Sequence, residues 1–164
     1  MSGALTLRNR QRARAVDLRL LERLARHLLT EQFQVRHFAL GVFLVGARAM
    51  TRLNERFLRH GGSTDVITFD YGEPGRPEAL CGDLFICLDE AAMAARRFRT
   101  TWQAELVRYL VHGLLHLRGY DDQTAPDYRR MKREENRLLK RLAKTFCFRA
   151  LGPGRPGSRK RPRA

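Results

Sequence analysis

The chain has 164 residues, a length that suits one domain, and 43% of them are hydrophobic, enough for an ordinary core. No apolar run approaches the ~18 residues of a membrane span, and no apolar segment of a secretory signal follows the arginine-rich N-terminus. Three widely spaced cysteines (Cys81, Cys87 and Cys147) without a C-x-x-C pair argue against a disulfide scaffold and a thiolate zinc finger. We therefore expect a cytoplasmic protein that does not bind membranes.

The charge balance is strongly basic, with 32 Lys and Arg against 17 Asp and Glu, a net charge of +15. Residues 1–14 hold four arginines, residues 151–164 hold five basic residues, and neither segment has an acidic residue. A field of this sign attracts polyanions, and the phosphates of RNA and DNA are the commonest. The alternative is a solvated surface that is merely rich in arginine. The charge favours a nucleic-acid partner.

Hydrophobic periodicity and breaker residues divide the chain into short elements. In chain order they are a strand at 4–9, a helix at 16–28, a strand at 38–45, a helix at 48–58, strands at 64–71 and 82–88, and helices at 90–98, 101–117 and 125–146. Asp89 is expected to cap the helix that follows it, and Gly119 to end the helix that precedes it. Pro126 falls near the first turn of the last helix, where proline is tolerated.

This order predicts an α+β fold because strands and helices do not alternate strictly. We expect a hairpin between 64 and 88, within a mixed sheet of about four strands flanked by helices. Residues 1–150 would form a single catalytic α/β domain. Residues 151–164, rich in Gly, Pro and Arg, are expected to be a disordered basic tail.

The segment 112–122, HGLLHLRGYDD, carries the strongest chemical signal. His112 and His116 lie four residues apart on the predicted helix, so both imidazoles share one face and can bind one ion. Gly119 can turn the chain back after the helix, which brings Asp122 to the histidines as a third ligand, although the adjacent Asp121 is an alternative. Three protein ligands with one open position are typical of catalytic zinc. We expect one zinc ion on this central helix.

The same spacing occurs in metzincin proteases, which need a glutamate directly after the first histidine as general base. Gly113 stands at that position, so a protease is the least favoured function. An RNA phosphodiester carries its own 2′-hydroxyl nucleophile or can be attacked by metal-activated water. RNA therefore fits both the site and the charge better than a peptide.

These motifs resemble the YbeY family of bacterial single-strand-specific endoribonucleases, which act in the maturation and quality control of ribosomal RNA. HGLLHLRGYDD matches ten of the eleven positions of the family pattern H-G-x-L-H-L-x-G-Y-D-H, and similarity continues in Leu53-Asn54, in TDVITFDY at 64–71 and in GDLFI at 82–86. The resemblance covers roughly residues 4–145. It implies a mixed sheet with flanking helices and a zinc helix at its centre.

Two positions depart from the family pattern. Asp122 stands where most members have a third histidine. Some members of the family carry aspartate at this position, and the chain resembles that variant. The family arginine expected at position 58 is replaced by Leu58, and the nearest arginine is Arg59. Arg59 and His60 are therefore candidate catalytic residues, although His60 can equally be a helix cap. Glu105 is expected to accept the second ring N–H of a zinc histidine, or to pair with Arg108.

The sequence thus predicts a zinc-dependent, single-strand-specific endoribonuclease in ribosomal RNA maturation and quality control, with no organic cofactor. Its expected partners are single-stranded RNA, ribosomal RNA and the ribosome. The alternative function is a ribosome- or RNA-binding protein with a structural zinc and little activity. Exposed arginines of two helices are predicted to bind RNA: Arg96, Arg97, Arg129, Arg130 and Arg133.

Overall fold

A computed structural model describes residues 2–58 and 61–153 of the chain. The strands are β1 (Ser2–Asn9), β2 (His37–Val45), β3 (Val66–Asp70) and β4 (Ala79–Cys87). The α-helices are α1 (Leu18–His27), α2 (Ala47–Leu53), α3 (Leu88–Phe98), α4 (Trp102–Leu117) and α5 (Ala125–Thr145). Short π-helical turns follow α1 (Leu28–Gln32) and α2 (Asn54–Leu58), and a 3₁₀ turn follows α5 (Phe148–Leu151).

The four strands form one mixed sheet in the order β1-β2-β4-β3. β1 pairs in parallel with β2, and β2 in parallel with β4, so that Leu5 lies beside Leu40 and Val42 beside Leu84. β3 and β4 form the predicted antiparallel hairpin. The α+β fold with a four-stranded mixed sheet is therefore confirmed.

The main core lies between one face of the sheet and the helices. Apolar residues of β2 and β4 alternate toward this face, where Val42, Leu44, Leu84 and Ile86 are fully buried against the helices. A smaller cluster on the opposite face packs α2 on the sheet through Met50. The sheet thus supports α4, the helix that carries the predicted metal ligands.

Two local predictions are wrong in instructive ways. Asp89 does not cap α3, because that helix already begins at Leu88; its Oδ2 instead accepts a hydrogen bond from the backbone N–H of Ala47, 2.7 Å away. Asp89 therefore caps α2 across the fold. The predicted helix at 48–58 is divided, since only Ala47–Leu53 is α-helical.

Leu151 belongs to the folded part of the chain rather than to the predicted tail. Its side chain is fully buried, and its carbonyl accepts a hydrogen bond from the N–H of Asp17. Residues 154–164, most of that tail, lie outside the described residues. Cys81, Cys87 and Cys147 are free thiols.

Candidate metal centre

α4 presents two different faces to the protein. Leu106, Leu110 and Leu114 are fully buried in the core. On the other side, His112 and His116 keep 24% and 28% of their side chains exposed. The apolar face fixes the helix on the sheet, and the polar face is left open to solvent.

The chain turns sharply after α4. Gly119 has a φ of +93°, a left-handed conformation that glycine adopts without strain, and the N–H of Tyr120 donates to the carbonyl of Leu115. This turn brings Asp122 beside the histidines.

The three predicted ligands, His112, His116 and Asp122, converge on one point. The Nε2 atoms of the two histidines lie 3.0 Å apart, and each lies 3.7 Å from Oδ2 of Asp122. In a tetrahedral zinc site with bonds of about 2.0–2.1 Å, ligand atoms lie roughly 3.3 Å apart. The three atoms therefore have the separations that one such ion requires.

Hydrogen bonds orient both imidazoles toward that point. Nδ1 of His112 donates to Oε2 of Glu135 at 2.9 Å, and Nδ1 of His116 donates to the carbonyl of Tyr120 at 3.0 Å. Because each partner offers only an acceptor, the Nε2 atom of each neutral ring carries a lone pair. Two lone pairs 3.0 Å apart beside a carboxylate repel one another, and a cation between them removes that repulsion. The donor set and its partners thus fit a divalent metal such as zinc.

The electrostatics of His112 reflect the acidic groups around it. Burial by itself would lower the pKa of His112, but the hydrogen bond and charge of Glu135, with the charges of Asp65 and Asp122, raise it above its ordinary value. The site therefore stabilises positive charge at the imidazoles. A metal cation would meet the same favourable field.

Asp121 and Asp122 have different surroundings. Oδ1 of Asp121 accepts hydrogen bonds from the backbone N–H groups of Asp122, at 2.7 Å, and Gln123, at 3.3 Å. It thereby stabilises the turn, while Asp122 points at the histidines. The geometry favours Asp122 over Asp121 as the third ligand.

Glu135 is the residue that the sequence analysis missed. It lies on α5 and is buried, and Oε1 accepts a hydrogen bond from Nη1 of Arg108 at 2.8 Å. Burial would raise the pKa of Glu135, but the hydrogen bonds from His112 and Arg108 and the charge of Lys132 lower it, so the carboxylate is ionised at neutral pH. A signal was available in the sequence, because Glu135 interrupts the apolar stripe of Met131, Leu138 and Leu142.

Glu105 does not have the expected role. Its carboxylate is buried and accepts a hydrogen bond from the hydroxyl of Thr100 at 2.6 Å. Arg108, its alternative partner, pairs with Glu135 instead. Glu105 lies seven residues before His112, at the start of α4, so its carboxylate reaches the turn before that helix rather than the histidine.

Gly113 is enclosed by the sheet. A Cβ atom added there would lie 2.8 Å from a methyl group of Leu84 and 3.3 Å from one of Val66. The glutamate of an H-E-x-x-H protease therefore has no room at this position.

The remaining predicted site residues are dispersed. Arg97 lies over the Phe98 ring at 5.3 Å, and Arg130 lies over the Tyr120 ring at the same distance. Arg96 lies beside Trp102 on another part of the surface. Arg129 and Arg133 are exposed on α5. Arg59 and His60 lie outside the described residues.

The metal centre opens into a cleft of about 310 Å³. His112 and Asp122 line it, and Arg108 and Lys132 supply positive charge. The cleft also contains the aromatic side chains of Phe98 and Tyr128. Within the described ranges, none of the helices is both long and apolar enough to cross a membrane.

Comparison with known proteins gives a consistent result. The family model for Endoribonuclease YbeY matches residues 6–143. The chain belongs to the YbeY family. An Endoribonuclease YbeY of Chlorobium phaeobacteroides is 36% identical over 129 residues, which cover 79% of this chain and 91% of that protein.

Two further YbeY proteins match shorter segments. The one from Chlorobium luteolum is 43% identical over 59% of this chain and 69% of its own length. The one from Anaeromyxobacter sp. Fw109-5 is 45% identical over 62% of this chain but only 53% of its own length. A solution structure of a Thermotoga maritima protein superimposes with a TM-score of 0.58 at 22% identity, covering 94% of this chain and 99% of that one. That structure shares the fold.

Proposed function

We propose that this protein is a zinc-dependent, single-strand-specific endoribonuclease that acts in ribosomal RNA maturation and quality control in the cytoplasm. Endoribonuclease activity goes with membership of the YbeY family. The proposal adds the metal, the substrate preference and the ribosomal setting. The observation that carries it is the convergence of His112, His116 and Asp122 on one point, where His112 and Asp122 line an open cleft.

The residues of the site have separable roles in this proposal. His112, His116 and Asp122 hold one zinc ion, which when bound supplies a Lewis acid and lowers the pKa of water. Glu135 and the carbonyl of Tyr120 keep the Nδ1 protons in place, so that both Nε2 atoms face the ion. Lys132 lines the cleft and can contact the phosphate backbone.

Arg59 and His60 are proposed as catalytic residues on the sequence alone. Arg59 is the nearest arginine to the position of the family arginine, and His60 can move a proton near neutral pH. The surface arginines on α3 and α5 (Arg96, Arg97, Arg129, Arg130 and Arg133) are proposed to contact RNA phosphates. Lys substitution of these arginines would keep the charge, whereas Ala substitution should weaken RNA binding.

A cleavage assay tests the proposal. The protein is stripped with a chelator, reloaded with one equivalent of zinc, and incubated with a single-stranded RNA and with the same RNA in a duplex. We expect cleavage of the single strand only, its loss after stripping, and its return with zinc. His112→Ala should bind less than stoichiometric zinc and should not cleave.

Two other outcomes would contradict the proposal. Stoichiometric zinc without cleavage would support the alternative, an RNA-binding protein with a structural metal. That alternative is favoured by Leu58 at the position of the family arginine. Cleavage that persists unchanged in His112→Ala with no bound metal would place the active site elsewhere.

A further inference from the structure

Large exposed apolar side chains line the cleft at the candidate metal site and the cleft that adjoins it. Six large hydrophobic side chains are exposed in the described part of the chain: Phe57, Leu58, Tyr71, Met93, Phe98 and Tyr128. Three of them, Met93, Phe98 and Tyr128, are 53–62% exposed and line two clefts beside the metal centre. Exposed apolar side chains gathered in this way mark a binding surface.

The two clefts are continuous. The first, which contains His112 and Asp122, and the second, which has a volume of about 530 Å³, share Phe98 and three other residues. A groove therefore extends from the metal centre past Phe98 to Met93. We call this surface, lined by Met93, Phe98 and Tyr128, the apolar groove.

The position of Phe98 is fixed by the turn between α3 and α4. α3 ends at Phe98 because Arg99 adopts a left-handed conformation with a φ of 54°. The N–H of Thr100 donates to the carbonyl of Ala95, and its hydroxyl donates to the buried Glu105. Glu105 thus anchors the turn that holds the Phe98 ring at the groove.

Cationic side chains lie at the edge of the apolar groove. Arg97 lies over the Phe98 ring, and Lys132 lines the cleft on the metal side. Five acidic residues also line the two clefts: Asp65, Glu90, Glu105, Asp122 and Glu135. Glu135 pairs with Arg108, Glu105 accepts a hydrogen bond from Thr100, and Asp122 is a candidate metal ligand. An aromatic surface with cations at its edge is the combination that binds the bases and phosphates of a single strand.

We propose that the apolar groove binds one or two unpaired bases next to the phosphate at the metal centre, with Phe98 as the main stacking surface. The inference rests on the proposed function and explains its strand preference. Bases in a duplex are stacked and paired, so they cannot enter the groove without an energetic cost. Phe98, Met93 and Tyr128 are then specificity residues rather than catalytic ones.

The test compares bases and side chains in a double-mutant cycle. One set of single-stranded RNA oligonucleotides carries an abasic nucleotide at successive positions. Binding to the zinc-loaded protein is measured by fluorescence anisotropy in the cold, over times in which no product forms. The proteins are the wild type, Phe98→Ala, Phe98→Trp and the matched control Tyr71→Ala, an exposed aromatic residue outside the groove.

We expect Phe98→Ala to bind the intact RNA about 5- to 100-fold more weakly at unchanged zinc content, the usual effect of one lost base-stacking contact. One abasic position should weaken wild-type binding similarly and have no further effect in Phe98→Ala, because both changes remove the same contact. Phe98→Trp should retain affinity, and Tyr71→Ala should behave as the wild type.

Wild-type affinity in Phe98→Ala for every oligonucleotide would overturn the inference. Additive effects of the two changes would also overturn it. A different result would contradict the proposed function alone: the wild type binds RNA with the expected dependence on the abasic position but never cleaves it. Cleavage by the wild type with normal binding in Phe98→Ala would refute only the groove.

Discussion

Nδ1 of His112 on α4 donates a hydrogen bond to the buried carboxylate of Glu135 on α5, 2.9 Å away. Arg108, one helical turn before His112, donates to the same carboxylate. The orientation of one candidate metal ligand therefore depends on the packing of two helices. A residue remote in the sequence can control metal affinity without touching the metal.

Glu135→Gln should lower zinc affinity about 10- to 100-fold, the usual effect of losing a carboxylate that orients a metal histidine. The amide keeps the size of the side chain but loses the charge that favours the Nδ1 proton. The neighbouring Glu134, whose carboxylate pairs with Arg137 on the surface, provides the matched control. Competition titration with a zinc chelator measures both variants, and equal affinities would contradict the assigned role of Glu135.

Asp122→Ala should lose most bound zinc and most cleavage, because two histidines alone rarely retain a catalytic metal. Asp122→His should keep the metal, since imidazole is also a zinc ligand. Asp121→Ala should have a milder effect, because Asp121 stabilises only the backbone of the turn. Metal analysis of the three purified variants shows which aspartate is the third ligand. Zinc loss in Asp121→Ala but not in Asp122→Ala would make Asp121 the ligand.

Glu105→Ala should leave stoichiometric zinc but lower the stability by about 1–3 kcal/mol, since Thr100 loses its acceptor and a buried contact is removed. Chemical denaturation and metal analysis on the same preparation separate the two effects. A large loss of zinc without a loss of stability would restore Glu105 as a partner of the metal histidines.

Gly113→Glu should fail to create a protease and should be strongly destabilised, because it buries an unpaired carboxylate against Leu84 and Val66. Ala143→Glu, at an exposed position of α5, should melt like the wild type. Thermal unfolding followed by circular dichroism provides the comparison. An unaffected melting temperature in Gly113→Glu would show that the helix can move away from the sheet.

Deleting residues 154–164 removes five basic residues and should make the salt dependence of RNA binding shallower. Each lost contact to a single-stranded phosphate reduces the slope of log K against log salt by about 0.7. The truncation leaves Leu151, which is buried, in place. Binding isotherms at several salt concentrations test it, and an identical slope would mean that these charges do not contact the RNA backbone.

The sequence predicts the convergence of His112, His116 and Asp122 well because the three residues lie within eleven consecutive positions. Helical periodicity puts His112 and His116 on one face, and the glycine turn brings Asp122 back to them. Periodicity also predicts the strands and helices around them. These signals depend on residues close together in the sequence, and the elements and the turn that they predict are present in the structure.

Contacts between distant segments were harder to predict. Glu135 reaches His112 only through the packing of α5 on α4, and Asp89 caps α2 rather than its own helix. Glu105 was expected to accept a hydrogen bond from a zinc histidine, but its carboxylate instead accepts one from the hydroxyl of Thr100. A single sequence shows the hydrophobic periodicity of a helix or strand. It does not show which neighbouring element the polar side chains will contact.

The parallel pairing of the central strands has a consequence for the order of folding. β2 lies between β1 and β4, and β4 follows it by more than thirty residues. On a ribosome, the apolar segment of β2 emerges well before β4 can protect its second edge. Such non-local pairing slows folding and prolongs the time during which unpaired strand edges are exposed. The arginines of the first strand and of the segment after it carry like charges, so they oppose association between nascent chains during that interval.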